Sequence, residues 1–135
     1  MRLLLAATAL LLLTFTATAA MHVRTIASPQ KVAASGQPLI LARISSIAPN
    51  CASVGSSTIR LLGGPAHGQF AVQQIRASGR YPAGNPRSRC NGRKLPMQQL
   101  TYVSNPGYQG ADMVQFQIIY PNGTADRVRI PLLVR

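Results

Sequence analysis

Val114–Val134 reads VQFQIIYPNGTADRVRIPLLV, and this stretch decides the fold of the chain. Apolar residues stand at every second position on both sides of a central turn, at Val114, Phe116, Ile118 and Tyr120 and then at Val128, Ile130, Leu132 and Val134. This period of two is typical of β-strands with one buried face. The turn between them contains Asn122 and Gly123, residue types that supply the positive φ angles of tight hairpins. We therefore predict an antiparallel hairpin.

Shorter apolar runs upstream of the hairpin predict further strands. They lie at His22–Ile26, Pro38–Ile44, Thr58–Leu62, Gln69–Ile75 and Leu95–Val103. The segment Arg76–Lys94 is rich in glycine and proline, so we expect a loop there. Several short strands separated by turn signals, with no apolar stripe of helical period, indicate an all-β antiparallel sandwich of about seven strands.

The same alternation predicts which side chains form the core. On each strand, one set of alternate apolar residues should face the opposite sheet. The predicted set is Ile59, Leu61, Phe70, Val72, Tyr102, Val114, Phe116, Ile118, Val128, Ile130, Leu132 and Val134. Arg127 and Arg129 alternate with this set, so we expect them to project from the outer face of the last strand.

Two further motifs accompany the hairpin. Gly64–Gly68 reads GPAHG and precedes the short run QFAV, and Leu100–Asp112 reads LTYVSNPGYQGAD. With the alternating strand and the Asn-Gly turn, these motifs resemble the bacterial cadherin-like and immunoglobulin-like tandem-repeat domains over Ile59–Val134. The resemblance implies an immunoglobulin-like β-sandwich in which His67 is a structural turn residue. It does not indicate what the protein binds.

Tyr108, Gly110 and Asp112 form the corner of the second motif. We expect the Asp112 carboxylate to accept hydrogen bonds from nearby backbone N–H groups and so to hold the turn. The Tyr108 ring is expected to cover the end of the core while its hydroxyl bonds a backbone group. Cadherin-like modules often bind calcium, but Ca²⁺ takes about six to eight oxygen ligands. Because the whole chain has two acidic residues, we expect no calcium site.

Residues 1–20 have the composition of a signal peptide. Arg2 is followed by the apolar run Leu3–Leu13 and by small residues that end at Ala19 and Ala20. We expect cleavage after Ala19 or Ala20, with residues 21–135 forming a single immunoglobulin-like or cadherin-like domain, secreted or periplasmic. A membrane anchor is the alternative, but threonines dilute the apolar run, so we expect no stable membrane span.

Cys51 and Cys90 are the two cysteines of the chain. An even number of cysteines in an exported protein favours a disulfide over free thiols or a link between chains. We therefore predict one Cys51–Cys90 bond.

The charge of the chain is strongly positive. Fourteen basic residues less Arg2 leave 13, and two aspartates reduce the net charge without residues 1–20 to +11. Such a charge attracts polyanions, so phosphorylated lipopolysaccharide, acidic polysaccharide and anionic lipid are candidate partners, with a protein partner as a further alternative. Nucleic acid is a poor candidate, because export separates it from the protein and tryptophan is absent.

One segment without an acidic residue concentrates the cations around Cys90. It contains Arg76, Arg80, Arg87, Arg89, Arg93 and Lys94. This segment is a candidate polyanion-binding loop, since a disulfide at Cys90 would reduce the entropy lost on docking. The alternative is an ordinary solvated loop.

The sequence shows no arrangement of residues for catalysis. Paired carboxylates, phosphate-binding loops and Cys-x-x-Cys metal motifs are absent, so we expect neither an enzyme nor a resident cofactor. The resulting prediction is an exported, non-catalytic module with a binding or structural role at the cell envelope. The alternative is a periplasmic copper-handling protein. Cleavage after Ala19 would expose Ala20-Met21-His22, whose amine, amides and imidazole suit the square-planar coordination of Cu(II).

Overall fold

A computed structural model describes residues 22–135, which form eight β-strands and one short 3₁₀ helix. The predicted signal peptide lies outside the described residues. The strands are β1 (Val23–Ala27), β2 (Lys31–Ala33), β3 (Pro38–Ile44), β4 (Thr58–Gly63), β5 (Gly68–Ser78), β6 (Lys94–Ser104), β7 (Gly110–Ile119) and β8 (Ala125–Val134). The 3₁₀ helix is Ser88–Cys90 and precedes β6.

The strands form two sheets packed as a sandwich, which confirms the predicted all-β, immunoglobulin-like fold. One sheet has the order β1-β8-β7-β4, with β2 also paired to β8, and the other has the order β3-β6-β5. Both β1 and β2 run parallel to β8, and all other pairs are antiparallel. The structure has eight strands rather than about seven because β2 has three residues, too few to show a period of two.

The C-terminal hairpin forms between β7 and β8 in the predicted register. Val114 lies opposite Ile130 and Phe116 lies opposite Val128. The predicted turn differs in one respect: Gly123 has a positive φ of 83°, whereas Asn122 does not. Asn122 acts through its side chain instead, since its Oδ1 accepts hydrogen bonds from the backbone N–H and the hydroxyl of Thr124.

The main core lies between the two sheets and contains most of the predicted set. Buried members are Tyr102, Val114, Phe116, Ile118, Ile130, Leu132 and Val134. Ile59, Phe70 and Val128 are partly buried and pack against them. The rings of Phe70 and Phe116 stack across the sandwich, with their centroids 5.6 Å apart.

Two members of the predicted core are exposed instead. Leu61 is 48% exposed and Val72 is 39% exposed. Their register is inward, because Leu61 lies opposite buried Phe116 and Val72 lies opposite buried Leu100. Both residues lie on the last strand of their sheet, β4 and β5, where none of the described strands continues the sheet to cover them.

β5 and β6 extend beyond their predicted ends, and residues of the extended part form a second apolar cluster. Leu95 and Met97 of β6 are buried against Ile47 and Cys90. Leu95 and Met97 occupy odd-numbered positions of β6, whereas Leu100 and Tyr102 occupy even-numbered ones. Since successive side chains of a strand point to opposite faces, the two pairs lie on opposite faces of β6. The prediction that Arg76–Lys94 is entirely loop is therefore wrong at both ends. Arg76 belongs to β5 and Lys94 to β6, in a ladder that continues to the Ser78–Lys94 pair.

Candidate functional site

The candidate site is built on the connection between β5 and β6, residues 79–93, hereafter the basic loop. A β-bridge between Gly79 and Asn91 closes the base of this loop. The Asn91 side chain reinforces it: its Oδ1 accepts a hydrogen bond from the Tyr81 N–H at 2.8 Å, and its Nδ2 donates to the Tyr81 carbonyl at 2.9 Å. One amide thus satisfies both backbone groups of Tyr81 and ties the two arms of the loop together.

The predicted disulfide is present and anchors the basic loop beside its base, one residue before Asn91. Cys51 and Cys90 are bonded, with their Cα atoms 5.6 Å apart. The bond joins the basic loop to the connection between β3 and β4, and Cys90 is fully buried beneath it. The Arg87 Nε donates a hydrogen bond to the Ile47 carbonyl at 2.6 Å, beside the disulfide. A covalent bond and a charge-assisted hydrogen bond therefore hold the two loops together.

The structure divides the six predicted cations into three groups. Arg87 is half-buried and used in the contact with Ile47, so it positions the loop. Arg76 and Lys94 are exposed but lie on paired strands, where Arg76 donates to the Lys94 carbonyl. Arg80, Arg89 and Arg93 are exposed on the basic loop itself.

No carboxylate neutralises these cations within residues 22–135. The ion pair of the described structure joins Arg24 to Asp126, with Nη2 and Oδ2 2.9 Å apart. Arg80, Arg89 and Arg93 therefore present uncompensated positive charge on a loop whose backbone is held by the Gly79–Asn91 bridge and by the disulfide at Cys90. Such an arrangement attracts anions and binds them with little further ordering of the chain.

An open groove of about 920 Å³ adjoins the basic loop at the end of the sandwich. One wall consists of Arg24, Tyr120 and Asp126, and the other includes Tyr81 and Arg87. A smaller hollow of about 330 Å³ shares the two tyrosines and adds Arg43 and Arg80. The volumes lie in the range of small-ligand sites. The sequence did not predict this groove, because its walls come from segments far apart along the chain.

A hydrogen-bonded cluster around the Asp126 carboxylate lines the groove. Asp126 is 6% exposed and accepts two hydrogen bonds from Arg24, each at 2.9 Å, and one from the Tyr120 hydroxyl at 3.0 Å. The hydrogen bonds from Arg24 outweigh burial and, with that from Tyr120, hold the pKa of Asp126 below its ordinary value. Burial and the bond to Asp126 raise the pKa of Tyr120 to about 12.

Sequence reasoning missed this cluster, although one signal was present. Asp126 occupies an inward position of the alternation that continues through Val128 and Ile130, and an acid at such a position needs a partner.

The predicted corner residues lie at the other end of the sandwich. The Asp112 carboxylate accepts hydrogen bonds from the backbone N–H groups of Ala66, His67 and Met113, and from the Tyr102 hydroxyl at 2.8 Å. Burial opposes ionisation of Asp112, but these four donors together hold its pKa below the ordinary value. The Asp112 carboxylate thus joins three segments of the chain by hydrogen bonds, an arrangement that holds the corner together.

The rest of the corner is also engaged in local contacts. The Tyr108 hydroxyl donates to the Ala111 carbonyl at 2.7 Å, and its ring packs against the main core. The rings of His67 and Tyr108 stack with their centroids 4.1 Å apart. Gly110 has a φ of 137°, which an L side chain rarely adopts.

His22 is exposed at the rim of the groove, and its carbonyl accepts a hydrogen bond from the Ala125 N–H. Ala20 and Met21 lie outside the described residues, so the copper motif stays a prediction. In the part of the chain that the structure describes, histidine, cysteine and acidic side chains form no group of three that could hold a metal ion. None of the described helical segments is long and apolar enough to cross a membrane. No family model, curated protein or solved structure matches the chain.

Proposed function

We propose that this protein is an exported, non-catalytic module of the cell envelope that binds anionic polymers through the basic loop. The observation that carries the proposal is the uncompensated charge of Arg80, Arg89 and Arg93 on a loop that the Cys51–Cys90 disulfide anchors to the connection between β3 and β4. Phosphorylated lipopolysaccharide and acidic polysaccharide have the complementary chemistry, since both repeat negative charges along an extended surface.

The residue types at this surface suit phosphate and carboxylate groups. Arginine presents a planar fork of donors that binds such groups in a bidentate manner, which lysine does not. Three arginines on a braced loop would bind several charges of one polymer at once. Because the loop is anchored by the disulfide and by the contact between Arg87 and Ile47, little conformational entropy is lost on binding.

The groove beside the basic loop supports the same function. Tyr81 and Tyr120 border both hollows, and a tyrosine ring offers an apolar face with a polar edge to a sugar. Arg24 is paired with Asp126, so the net positive charge of this region comes from Arg43, Arg80 and Arg87. We therefore expect the polymer backbone to follow the basic loop and one of its sugars to enter the groove.

The engagement of both aspartates supports a non-catalytic role. Asp112 is bonded to the corner and Asp126 to Arg24 and Tyr120. General acid–base catalysis needs a positioned proton donor or acceptor within reach of a substrate proton, and a carboxylate is one of the commonest. In the described residues both carboxylates are already used as structural acceptors.

The test compares two triple variants that change the net charge equally. The loop variant is Arg80→Glu, Arg89→Glu and Arg93→Glu, and the control variant is Arg127→Glu, Arg129→Glu and Arg135→Glu. The control residues are exposed on or after β8, which belongs to the other sheet from β5 and β6. Retention on columns of phosphorylated lipopolysaccharide and of acidic polysaccharide is measured while salt rises from about 50 to 200 mM, a range over which counterion release weakens polyanion binding strongly.

The loop variant is expected to elute at much lower salt than the control variant from at least one column. The column that retains the unmodified protein identifies the class of polymer. Equal losses in the two variants would show that net charge alone governs retention. That result, or no retention of the unmodified protein at low salt, would contradict the proposal.

A further inference from the structure

Arg87 is a half-buried cation that has no carboxylate partner among residues 22–135. Its Nε donates to the Ile47 carbonyl at 2.6 Å, a neutral acceptor that leaves the positive charge uncompensated. No described residue accepts a hydrogen bond from either of its Nη groups. Charges that are withdrawn from water are normally paired in proteins. A half-buried guanidinium without an acid is therefore a candidate ligand-binding group.

The free end of the Arg87 side chain belongs to the groove at the end of the sandwich, which Arg87 lines. A guanidinium is planar and rigid, so the hydrogen bond from Nε to Ile47 also fixes the plane of Nη1 and Nη2. Two such donors can bind both oxygens of one acidic group. Arg87 can thus position the basic loop through Nε and bind an anion through its Nη groups.

The charged side chains that line the groove itself limit the charge of its ligand. Arg24 and Asp126 form an ion pair, and the lowered pKa of Asp126 keeps this carboxylate ionised at neutral pH. Counted with a neutral His22, Arg87 leaves the groove with a formal charge of +1. A carboxylate carries −1, whereas a phosphate monoester carries about −1.5 to −2 at pH 7. The charge of the groove therefore matches a carboxylate.

The remaining walls suit the ring of a sugar. Tyr81 and Tyr120 line the groove and are half-buried, and a tyrosine offers an apolar face beside a polar edge. The Tyr120 hydroxyl donates to Asp126, and its oxygen can still accept a hydrogen bond from a ligand hydroxyl. The volume of about 920 Å³ is in the range of small-ligand sites, so a single sugar residue can enter.

We propose that the groove binds a uronic acid residue and that Arg87 contacts its carboxylate. The carboxylate site rests on the proposed function and narrows its substrate class to acidic polysaccharides whose negative charges are carboxylates. The smaller hollow shares both tyrosines with the groove and adds Arg43 and Arg80. Carboxylates on neighbouring sugars of the polymer would therefore meet further cations next to the groove.

Three sugars that share one ring and differ at carbon 6 test the ligand class. D-Glucuronate has a carboxylate there, D-glucose 6-phosphate has a phosphate ester and D-glucose has a hydroxyl group. Each sugar is titrated into the isotope-labelled, disulfide-bonded protein at about pH 8, where an ordinary histidine is neutral. The shifts of the backbone amide NMR signals of groove residues, such as Thr124 and Ala125, give the Kd.

D-Glucuronate is expected to bind the groove about tenfold more tightly than either of the other two sugars. The phosphate ester has more charge than the groove can neutralise, and glucose offers Arg87 no anion. Equal binding of the three sugars, tighter binding of D-glucose 6-phosphate, or no shift of the groove signals would overturn the proposal.

Arg87→Gln and Arg60→Gln remove the same charge inside and outside the groove. Arg60 is exposed on β4 and does not line the groove, so it is the matched control. Arg87→Gln is expected to weaken binding of D-glucuronate about tenfold or more, because a bidentate contact to a charged group is lost. Arg60→Gln should leave the Kd within about twofold. Equal losses in both variants would overturn the assignment of Arg87.

Asp126→Asn keeps the test decisive if Arg87→Gln does not fold, because the amide retains an oxygen that can accept from Arg24. This substitution raises the formal charge of the groove to +2. Binding of D-glucose 6-phosphate should then strengthen about tenfold, and by more than binding of D-glucuronate, because the phosphate has the larger charge. An unchanged ratio of the two Kd values would contradict the charge matching on which the carboxylate site depends.

The free sugars and the polymer columns can fail separately. Retention that depends on the basic loop, with no preference for D-glucuronate, would leave the proposed function intact and overturn the carboxylate site. Binding of D-glucuronate in the groove without retention on either column would contradict polymer binding and support the carboxylate site.

Discussion

Replacing Asp112 with alanine is expected to cost about 3–4 kcal/mol of folding free energy, a large fraction of the stability of a small domain. Its carboxylate accepts four hydrogen bonds, of 2.8 to 3.0 Å. Hydrogen bonds to a charged group contribute about 1.5–3 kcal/mol each, but they do not add in full. Ala66 and His67 are exposed, so their N–H groups can turn to water and lose little.

The largest single loss comes from Tyr102. This residue is fully buried, and its hydroxyl would keep no partner after the substitution. A buried polar group left unsatisfied costs about 1–3 kcal/mol. Tyr102→Phe removes the hydroxyl itself and so leaves no unsatisfied polar group at this position. We expect this substitution to cost about 1 kcal/mol of folding free energy. The double variant Asp112→Ala/Tyr102→Phe should then lose less than the sum of the two single losses.

Urea unfolding at pH 7, followed by circular dichroism, gives the four free energies of this cycle. Gln109→Ala is a suitable control, because Gln109 is exposed in the same corner, and it should change stability by less than about 0.5 kcal/mol. A loss below about 1 kcal/mol for Asp112→Ala, or fully additive losses in the double variant, would refute the reasoning that this carboxylate holds the corner together.

Two further predictions concern pH and the disulfide. The two aspartates have pKa values held below their ordinary values, so the stability they contribute is present above about pH 4 and is lost as pH falls below it. Burial raises the pKa of Tyr102 and Tyr120, so the stability they contribute is present below about pH 10 and is lost as pH rises further. Urea midpoints that stay constant from about pH 2 to 11 would contradict both the acidic and the alkaline loss of stability. Reduction of Cys51–Cys90, which closes a loop with a sequence separation of 39, should cost about 4 kcal/mol in the entropic account and lower the Tm by about 10 °C or more. Calorimetry of reduced and alkylated protein measures that change, and an unchanged Tm would show that the bond does not stabilise the fold.

The candidate site was predictable from sequence only in part. The density of cations around Cys90 is visible along the chain, and the expectation of export, together with an even cysteine number, predicted the disulfide. The different roles of those cations were not visible. Arg87 is a positioning residue because Ile47, 40 residues away, offers its carbonyl. Arg24 and Asp126 are 102 residues apart and meet because β1 pairs with β8.

Sequence alone determined seven of the eight described strands and the hairpin, because alternation is a local property that a strand carries in its own residues. Phe116 and Val114 are buried as predicted, since β7 lies inside its sheet with a neighbour on each side. Only the tertiary structure decided that Leu61 and Val72 are exposed, although they follow the same alternation as the buried residues. Direction follows from the local period of the backbone, whereas burial depends on which neighbouring elements cover the side chain. The order of strands in the sheets supplies those neighbours, and it left β4 and β5 at the edge.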